Sequence, residues 1–288
     1  MGVFQSLCAG AGTVLRKPRV PLVLYVVNVL FAGAVAAPFL AIVQAELGRS
    51  FLGSNVRPAD LVWLGEAILK YGASLPALLA GFLVSAFLYL ALQIFLNGGV
   101  VGRLLDSEGR TRLAEFFADC GRYFWRYVRL FLVSLVFLAL TLGLIMRLVS
   151  ALIRPLTEGA VTEWVPLVLS NLHLILALLL LSVVRMVVDY SRIAVVADAE
   201  RKVLKALRHA LIFLKKRFFR AWAIYLLLAA ATLAGAVVFH AVLGLLGAPA
   251  TFQVVAAFAW MQMYVIFRMG MRALFVAAQA EFYRSHPY

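Results

Sequence analysis

The chain has 288 residues, of which 65% are apolar and only 14% are charged, with a formal net charge of +14. A soluble protein of this length needs far more polar surface, so the composition excludes a soluble globular domain. The basic excess is explained by membrane topology and by attraction to anionic lipid head groups, and it requires no nucleic-acid partner.

Long stretches without a charged residue predict six membrane-spanning helices. In chain order they contain 26, 32, 17, 21 and 47 residues, between Arg19 and Glu46, Lys70 and Arg103, Arg129 and Arg147, Glu163 and Arg185, and Arg220 and Arg268. A spanning helix needs roughly 20 apolar residues, so each of the first four stretches predicts one span. The first stretch is too long for the apolar part of a cleaved signal peptide, and we expect it to be retained. The last is long enough for two spans, and Gly247-Ala248-Pro249 predicts a tight external turn between them.

The positions of the basic residues predict the orientation of these spans. If the N-terminus is cytoplasmic, the far side of the membrane keeps only five of the 27 Lys and Arg residues: Arg49, Arg57, Lys70, Arg147 and Arg154. The remaining 22 of 27 then lie on the cytoplasmic side, as the positive-inside rule requires. We therefore predict that both termini are cytoplasmic.

One sequence pattern occurs before both the third and the fifth span. The stretches CGRYFWRYVRLFLVSLVF (Cys120–Phe137) and LKKRFFRAWAIYLLL (Leu214–Leu228) each pass from basic and aromatic residues into a purely apolar run. A reduced version, FQSLCAGAGTVLRKPRVPL, precedes the first span. Apolar residues at three- and four-residue intervals ahead of each junction predict an amphipathic helix in the plane of the membrane surface. We therefore predict a single all-α membrane domain of three repeats, 1–110, 111–198 and 199–288, each an amphipathic helix followed by a transmembrane hairpin.

Each amphipathic helix is expected to turn its apolar face toward lipid and its basic face toward phosphate groups. Before the fifth span, the apolar face comprises Val203, Leu204, Leu207, Leu211 and Leu214. The opposite, basic face comprises Arg201, Lys202, Lys205, Arg208 and Lys215. Before the third span, the apolar face comprises Leu113, Phe116, Phe117 and Cys120.

The basic residues near the membrane surface predict binding of lipid head groups. Arginine side chains grip phosphate through paired hydrogen bonds, while neighbouring aromatic side chains hold a helix at head-group depth. The predicted head-group residues are Arg122, Arg126, Arg129, Arg192, Lys215, Lys216, Arg217 and Arg220. If these residues only set the topology, their attraction to lipid is generic, and the sequence leaves both possibilities open.

Other polar residues in or near the spans predict structural contacts. Arg185, Asp189 and Arg192 share one helix face as the fourth span ends, which predicts a structural ion pair; an anion site with Arg220 or Arg268 is the alternative. Interhelical hydrogen bonds are predicted for Asn28, Gln93, Asn97, Asn171, Gln253 and Gln262. The glycine-rich run Gly98-Gly99-Val100-Val101-Gly102 ends a span and predicts close helix packing rather than a phosphate-binding loop.

The sequence contains no motif of a nucleotide-binding, metalloprotease or serine-hydrolase site, so we predict no catalytic residue, metal or cofactor. His173 and His240 lie within spans and are candidates for haem ligands, although interhelical hydrogen bonds explain them better. Cys8 and Cys120 lack the spacing of a disulfide or metal site and are interpreted as small interface residues. We also expect no soluble domain on either face, and therefore no nucleotide-binding domain.

The stretches FWRYVRLFLV and VVDYSRIAVVADAERKVLKALRHALIFLKKRFFRAW resemble bacterial six-span inner-membrane proteins. These are the YciC-like family and the membrane domain attached to some glycerophosphodiester phosphodiesterases. The shared features are an aspartate after an apolar span, a basic amphipathic helix, and an aromatic and basic junction. The resemblance implies a bacterial inner-membrane location and a lipid-associated or accessory role, and it implies no hydrolase because a phosphodiesterase domain is lacking.

Two hypotheses about function follow from these features. The leading one is a non-enzymatic inner-membrane protein that contacts or organises anionic phospholipid, alone or as a subunit of an envelope complex. The alternative is a permease subunit whose basic helix, Ala199–Leu214, contacts a separate cytoplasmic ATPase.

Overall fold

The computed structural model describes residues 2–47, 75–106, 112–158, 164–198, 202–245 and 251–286. Within these ranges the chain is almost entirely helical and forms no strand. Six helices in these ranges are long and apolar enough to cross a membrane, which confirms the predicted all-α class and number of spans. The predicted external turn at Gly247-Ala248-Pro249 lies outside the described residues.

The described ranges contain eight α-helices. In chain order they are α1 Val3–Arg16, α2 Arg19–Leu47, α3 Leu75–Leu105, α4 Leu113–Ala139, α5 Met146–Glu158, α6 Trp164–Ala197, α7 Val203–Leu245 and α8 Thr251–Arg284. A π-helical turn, Leu140–Ile145, joins α4 to α5. The six apolar spans lie in α2, in α3, in α4 together with α5, and in α6, α7 and α8. A helix satisfies every backbone hydrogen bond internally, which is what a segment surrounded by lipid requires.

The contacts divide the chain into two compact units. The hairpin unit comprises residues 23–93, and the main unit comprises residues 1–22 and 94–288. In the hairpin unit, the Tyr89 hydroxyl and Gln93 Nε2 of α3 each donate a hydrogen bond to Asn28 Oδ1 of α2 at 2.8 Å. The interhelical hydrogen bonds predicted for Asn28 and Gln93 are therefore confirmed.

The core of the main unit lies at one end of its membrane helices rather than along their length. Large side chains that are fully buried there include Phe116 of α4, Tyr190 of α6, Phe213 of α7 and Phe282 of α8. In the apolar windows of the six candidate spans, by contrast, only 6% to 17% of the residues are buried. Lipid tails are as apolar as leucine, so the exposed apolar side chains of a span need no protein partner.

Helices α4 and α7 both begin with a predicted amphipathic segment and continue into a span, but they differ in shape. Helix α4 runs without a break from Leu113 to Ala139. Helix α7 is kinked at Arg217, whose backbone angles, φ −139° and ψ 28°, are not helical. The kink separates the first fourteen residues of α7, 203–216, from the apolar part of the helix.

The lipid-facing apolar face predicted for the start of α7 is wrong in part. Val203, Leu207 and Leu214 are buried within the protein, whereas Leu204 and Leu211 are exposed. The reason is that aromatic side chains of α6 and α8 cover this face of α7 and contact it through the ring of Phe213. The start of α4 is divided in the same way, because Phe116 and Cys120 are buried while Leu113 and Phe117 are exposed.

Candidate functional site

Arg103, near the end of α3, is the centre of an ion-pair cluster with three carboxylates. Its Nε and Nη2 lie 2.6 Å from Asp119 Oδ2, and its Nη1 lies 2.9 Å from Glu115 Oε2 and 3.2 Å from Asp106 Oδ2. Asp119 is 8% exposed, so this pair is largely withdrawn from solvent. Glu115 and Asp119 share one face of α4, and the cluster therefore fixes α4 against α3.

The last turns of α3 are also tied to α1 and α8. Lys17, which follows α1 and is buried, donates hydrogen bonds from Nζ to the carbonyl oxygens of Arg103 and Asp106, both at 2.7 Å. A cation at this position satisfies carbonyl groups that the helix leaves without partners at its C-terminus. Arg272 Nη2 of α8 donates to Asn97 Oδ1 at 2.6 Å, which confirms the interhelical hydrogen bond predicted for Asn97.

The glycine-rich run at the end of α3 lies directly against α4. A Cβ atom at Gly99 would come within 2.6 Å of Cys120 Sγ, and one at Gly102 within 2.6 Å of Asp119 Oδ2. The Cβ atom at Gly99 would also lie 2.8 Å from the carbonyl oxygen of Phe116, so glycine at this position lets the backbones of α3 and α4 come together. The prediction of close helix packing for this run is confirmed.

A second carboxylate cluster joins the ends of α6 and α8 to the start of α7. Asp198 Oδ2 lies 3.2 Å from His209 Nδ1 of α7 and accepts a hydrogen bond from the Tyr283 hydroxyl of α8 at 2.9 Å. All three side chains lie at the core of the main unit or beside it. This cluster therefore orients α7 through directional contacts, in addition to the packing of aromatic rings around Phe213.

The structure pairs only part of the predicted ion-pair set at the end of the fourth span. Arg192 Nη1 lies 2.9 Å from Asp189 Oδ1, and both side chains are half-buried. Arg185 is exposed and interacts with Tyr225 of α7 instead. Arg192, also predicted as a head-group residue, is thus engaged with a carboxylate of its own helix.

The predicted head-group residues of α4 surround two aromatic side chains. The guanidinium groups of Arg122 and Arg126 lie 5.7 Å and 5.6 Å from the centre of the Tyr123 ring, a distance that allows a cation–π interaction. Arg122 and Arg129 are exposed, and between them Trp125 exposes 69% of its surface. This part of α4 therefore presents cations and one large apolar side chain together.

The predicted head-group residues of α7 also present cations together with a large apolar side chain, with the exception of Arg217. Lys215, Lys216 and Arg220 are exposed, and Phe219 among them is 79% exposed. Arg217 is half-buried: its Nη1 donates to the carbonyl oxygen of His286 at 3.2 Å. Its guanidinium also lies 5.7 Å from the ring of Phe213. Arg217 therefore holds the C-terminal turn against the kink of α7.

Positive and negative charges occupy different environments in the described residues. Six acidic side chains take part in internal contacts: Asp106, Glu115, Asp119, Asp189, Asp198 and Glu281. Five of the predicted head-group residues are exposed and form no ion pair with any described residue: Arg122, Arg129, Lys215, Lys216 and Arg220. A surface whose carboxylates are already paired keeps a net positive charge.

The sequence identified the exposed basic residues but not the clusters that neutralise the acidic ones. In the sequence Arg103 is one of the 22 basic residues predicted on the cytoplasmic side, although Asp106 three residues later and the four-residue spacing of Glu115 and Asp119 are signals of helix ion pairs. What the spacing does not show is that the two helix faces meet.

The two histidines considered as haem ligands lie on different helices. His173 is half-buried in α6, and His240 is exposed in α7, where its ring lies 5.2 Å from that of Phe239. In the part of the chain that the structure describes, no three His, Cys, Asp or Glu side chains are grouped so that they could hold a metal ion. Cys8 is exposed and Cys120 is buried, and neither forms a disulfide.

No protein family, no curated protein and no solved structure matches the chain. The resemblance of its junctions to six-span inner-membrane proteins of the YciC-like family therefore stays a prediction.

Proposed function

We propose that the protein is a non-enzymatic, multi-pass protein of the bacterial inner membrane that contacts or organises anionic phospholipid, alone or as a subunit of an envelope complex. The observation that carries this proposal is the separation of charge described above. The acidic side chains of the clusters form internal ion pairs and hydrogen bonds, while cations of α4 and α7 remain exposed beside Trp125 and Phe219. In a protein with six candidate membrane spans, a net positive surface is complementary to the anionic head groups at a membrane surface.

The chemistry of these exposed groups suits phosphate at the boundary between water and lipid. Guanidinium groups form paired, charge-assisted hydrogen bonds with phosphate oxygens, which an ammonium group does not. Large aromatic side chains favour the same depth because one part of their environment is apolar and the other is hydrated. The neighbouring positions of Trp125 and Arg126, and of Phe219 and Arg220, supply both at once.

The proposal includes the orientation, the in-plane helices and the three repeats. Both termini are placed in the cytoplasm because that orientation puts the exposed cations of α4 and α7 on the side where the positive-inside rule expects them. The kink at Arg217 supports an in-plane start of α7, since it lets residues 203–216 follow a direction different from that of the span. The shared division of the starts of α4 and α7 into a buried face and an exposed face supports the second and third repeats.

The test is a charge-conserving double substitution, Arg126→Lys with Arg220→Lys, followed by mass spectrometry of the lipid that purifies with the protein. We expect less anionic phospholipid, because lysine keeps the charge but loses the paired hydrogen bonds. The matched control, Arg147→Lys with Arg154→Lys, changes two arginines predicted to lie on the opposite side and should retain the normal amount. Equal lipid content in the two double variants would contradict the proposal and leave only generic attraction.

A permease subunit is the second candidate, and one observation favours it. The exposed side of the first segment of α7 carries Leu204, Leu211 and Ile212 together with Arg208, a mixed apolar and basic surface that a soluble protein can bind. Purification of the full chain separates the two candidates. A stoichiometric cytoplasmic ATPase in the complex would support the permease, whereas bound phospholipid alone supports the lipid-contacting protein.

A further inference from the structure

Three segments of the main unit have buried positions at the same spacing: residues 3–22, which are α1 and the first turn of α2, then α4, and then α7. Four sets of residues have matching positions and are buried in all three segments: Ser6, Phe116 and Ala210; Gly10, Cys120 and Leu214; Lys17, Tyr127 and Ala221; and Val20, Leu130 and Ile224. The offset from the first to the second member is the same in every set, and so is the offset from the second to the third. Because the members of a set differ in residue type, the match lies in which helix face packs and not in sequence identity.

An exposed position follows the same spacing. Leu15, Trp125 and Phe219 stand at the same two offsets as the buried sets, and they are 79%, 69% and 79% exposed. An arginine comes directly after each of them, at positions 16, 126 and 220. Exposed large apolar side chains are common singly, but three at one register, each followed by arginine, indicate a shared role.

Each of the three segments also packs against the end of a membrane helix. Helix α4 packs on the glycine-rich end of α3, and α7 packs on the end of α6, where the rings of Phe213 and Tyr190 are 5.3 Å apart. Helix α1 packs on the end of α8, because a Cβ atom at Gly10 would lie 2.6 Å from the backbone nitrogen of Ala278. Helices α3, α6 and α8 are the second helices of the three predicted hairpins. Each of them contacts one of the three segments, and the contact of α1 with α8 is the third of these contacts.

We infer that the pairs Leu15–Arg16, Trp125–Arg126 and Phe219–Arg220 are three equivalent contacts with the head-group layer of a membrane that contains anionic phospholipid. This inference rests on the proposed function and adds to it a third contact, in α1. The apolar side chain of each pair is unfavourable in water and favourable at the boundary of head groups and acyl chains, while the arginine beside it reaches phosphate. Leu15 takes the place that an aromatic residue has in the other two pairs.

The depth of three single tryptophans tests whether the positions are equivalent. The chain has five tryptophans, and each variant keeps one, at position 15, 125 or 219, through Leu15→Trp or Phe219→Trp where needed and Trp→Phe elsewhere. The full chain is reconstituted in phosphatidylcholine–phosphatidylglycerol vesicles that carry bromine at a series of acyl positions, and quenching reports the depth. We expect the three depths to agree within about 5 Å, one turn of helix. A tryptophan that is not quenched, or that lies further from the others, overturns the equivalence.

Three single substitutions, Arg16→Gln, Arg126→Gln and Arg220→Gln, test the arginines in the otherwise unchanged chain. We expect each to lower the retained anionic phospholipid by a similar share, about a third, because each removes one of three paired phosphate contacts. Arg147→Gln removes an exposed arginine outside the three pairs and should change nothing. A loss with Arg126→Gln and Arg220→Gln but none with Arg16→Gln overturns the third contact and leaves the proposed function in place. Unchanged retention in all three contradicts both.

Discussion

The starts of α4 and α7 bury the same helix face by different chemistry. Asp119 in α4 and Phe213 in α7 stand at matching positions, separated by the offset that relates the other buried residues of these helices. Asp119 is held by ion pairs with Arg103, whereas the Phe213 ring packs 5.3 Å from that of Tyr190 and 4.9 Å from that of Tyr283. The same helix arrangement is thus compatible with a polar anchor and with an aromatic one.

The difference between the two anchors predicts different responses to substitution. Removing an aromatic ring leaves a cavity, and the free-energy loss depends on how far the surroundings collapse into it. Removing one partner of a buried ion pair leaves the other charge partly uncompensated. Helix α4 continues without a break past its polar anchor, whereas α7 is kinked at Arg217, four residues after its aromatic anchor.

The largest effect is expected from Phe213→Ala, which removes a ring in contact with α6 and α8. We expect the free energy of unfolding of the full chain in detergent to fall by about 4 kcal/mol. Phe219→Ala is the matched control, because that ring is 79% exposed, and we expect it to change stability by no more than about 0.5 kcal/mol. Similar losses in the two variants would show that the aromatic cluster is no anchor.

The second-largest effect is expected from Asp119→Ala. We expect the free energy of unfolding to fall by about 3 kcal/mol, since the mostly buried Arg103 loses its closest partner. Glu115→Ala removes a carboxylate from the same arginine, but its side chain is 35% exposed. We expect a loss of about 0.5 kcal/mol there, measured by the same denaturant titration. If Glu115→Ala proved the more damaging substitution, the depth of burial would not decide the strength of this anchor.

Gly99→Ala and Gly121→Ala should change stability in opposite directions. A Cβ atom at position 99 meets α4 at contact distance, so we expect a loss of about 2 kcal/mol. No atom lies within 4 Å of a Cβ atom built at Gly121, on the other side of α4, and we expect a gain of about 0.5 kcal/mol from better helix propensity. Thermal unfolding monitored by circular dichroism measures both variants, and a loss in both would indicate that the close approach of α3 is not the cause.

Among Phe213→Ala, Asp119→Ala, Gly99→Ala and Arg217→Ala, the smallest effect is expected from Arg217→Ala at the kink. The variant loses the hydrogen bond to the His286 carbonyl, which corresponds to about 1 kcal/mol. The expected signature is faster amide hydrogen exchange in residues 282–286, with little change in α4. Lys216→Ala is the control, since that side chain is exposed beside it, and equal exchange in both variants would show that Arg217 does not hold the C-terminal turn.

The membrane spans could be predicted because their signal is local. A run without charged residues predicts a span whichever helices pack against it. The hydrogen bonds of Asn28 and Asn97 could be expected because polar groups are scarce within such runs. Close packing around Gly99 could also be predicted from the sequence, because small residues at the end of a span leave room for a neighbouring helix.

The partners of each helix face could not be predicted, because periodicity shows which residues share a face and not what covers it. Leu207 and Leu214 share a face with good spacing for a lipid-facing stripe, yet α6 and α8 cover them. Lys17 is one of the 22 basic residues predicted on the cytoplasmic side, but its burial at the end of α3 depends on a contact distant in sequence. The exposed cations of the candidate site were found because exposure is the ordinary state of lysine and arginine.

The contact of Gly10 with Ala278 has a consequence for how the protein is made. Helix α1 is translated before the six candidate spans and α8 after the other described helices, so α1 is made long before its partner. Until then, the face of α1 around Gly10 stays open. A chain that ends within α7 therefore lacks the surface that covers Gly10 in the complete fold.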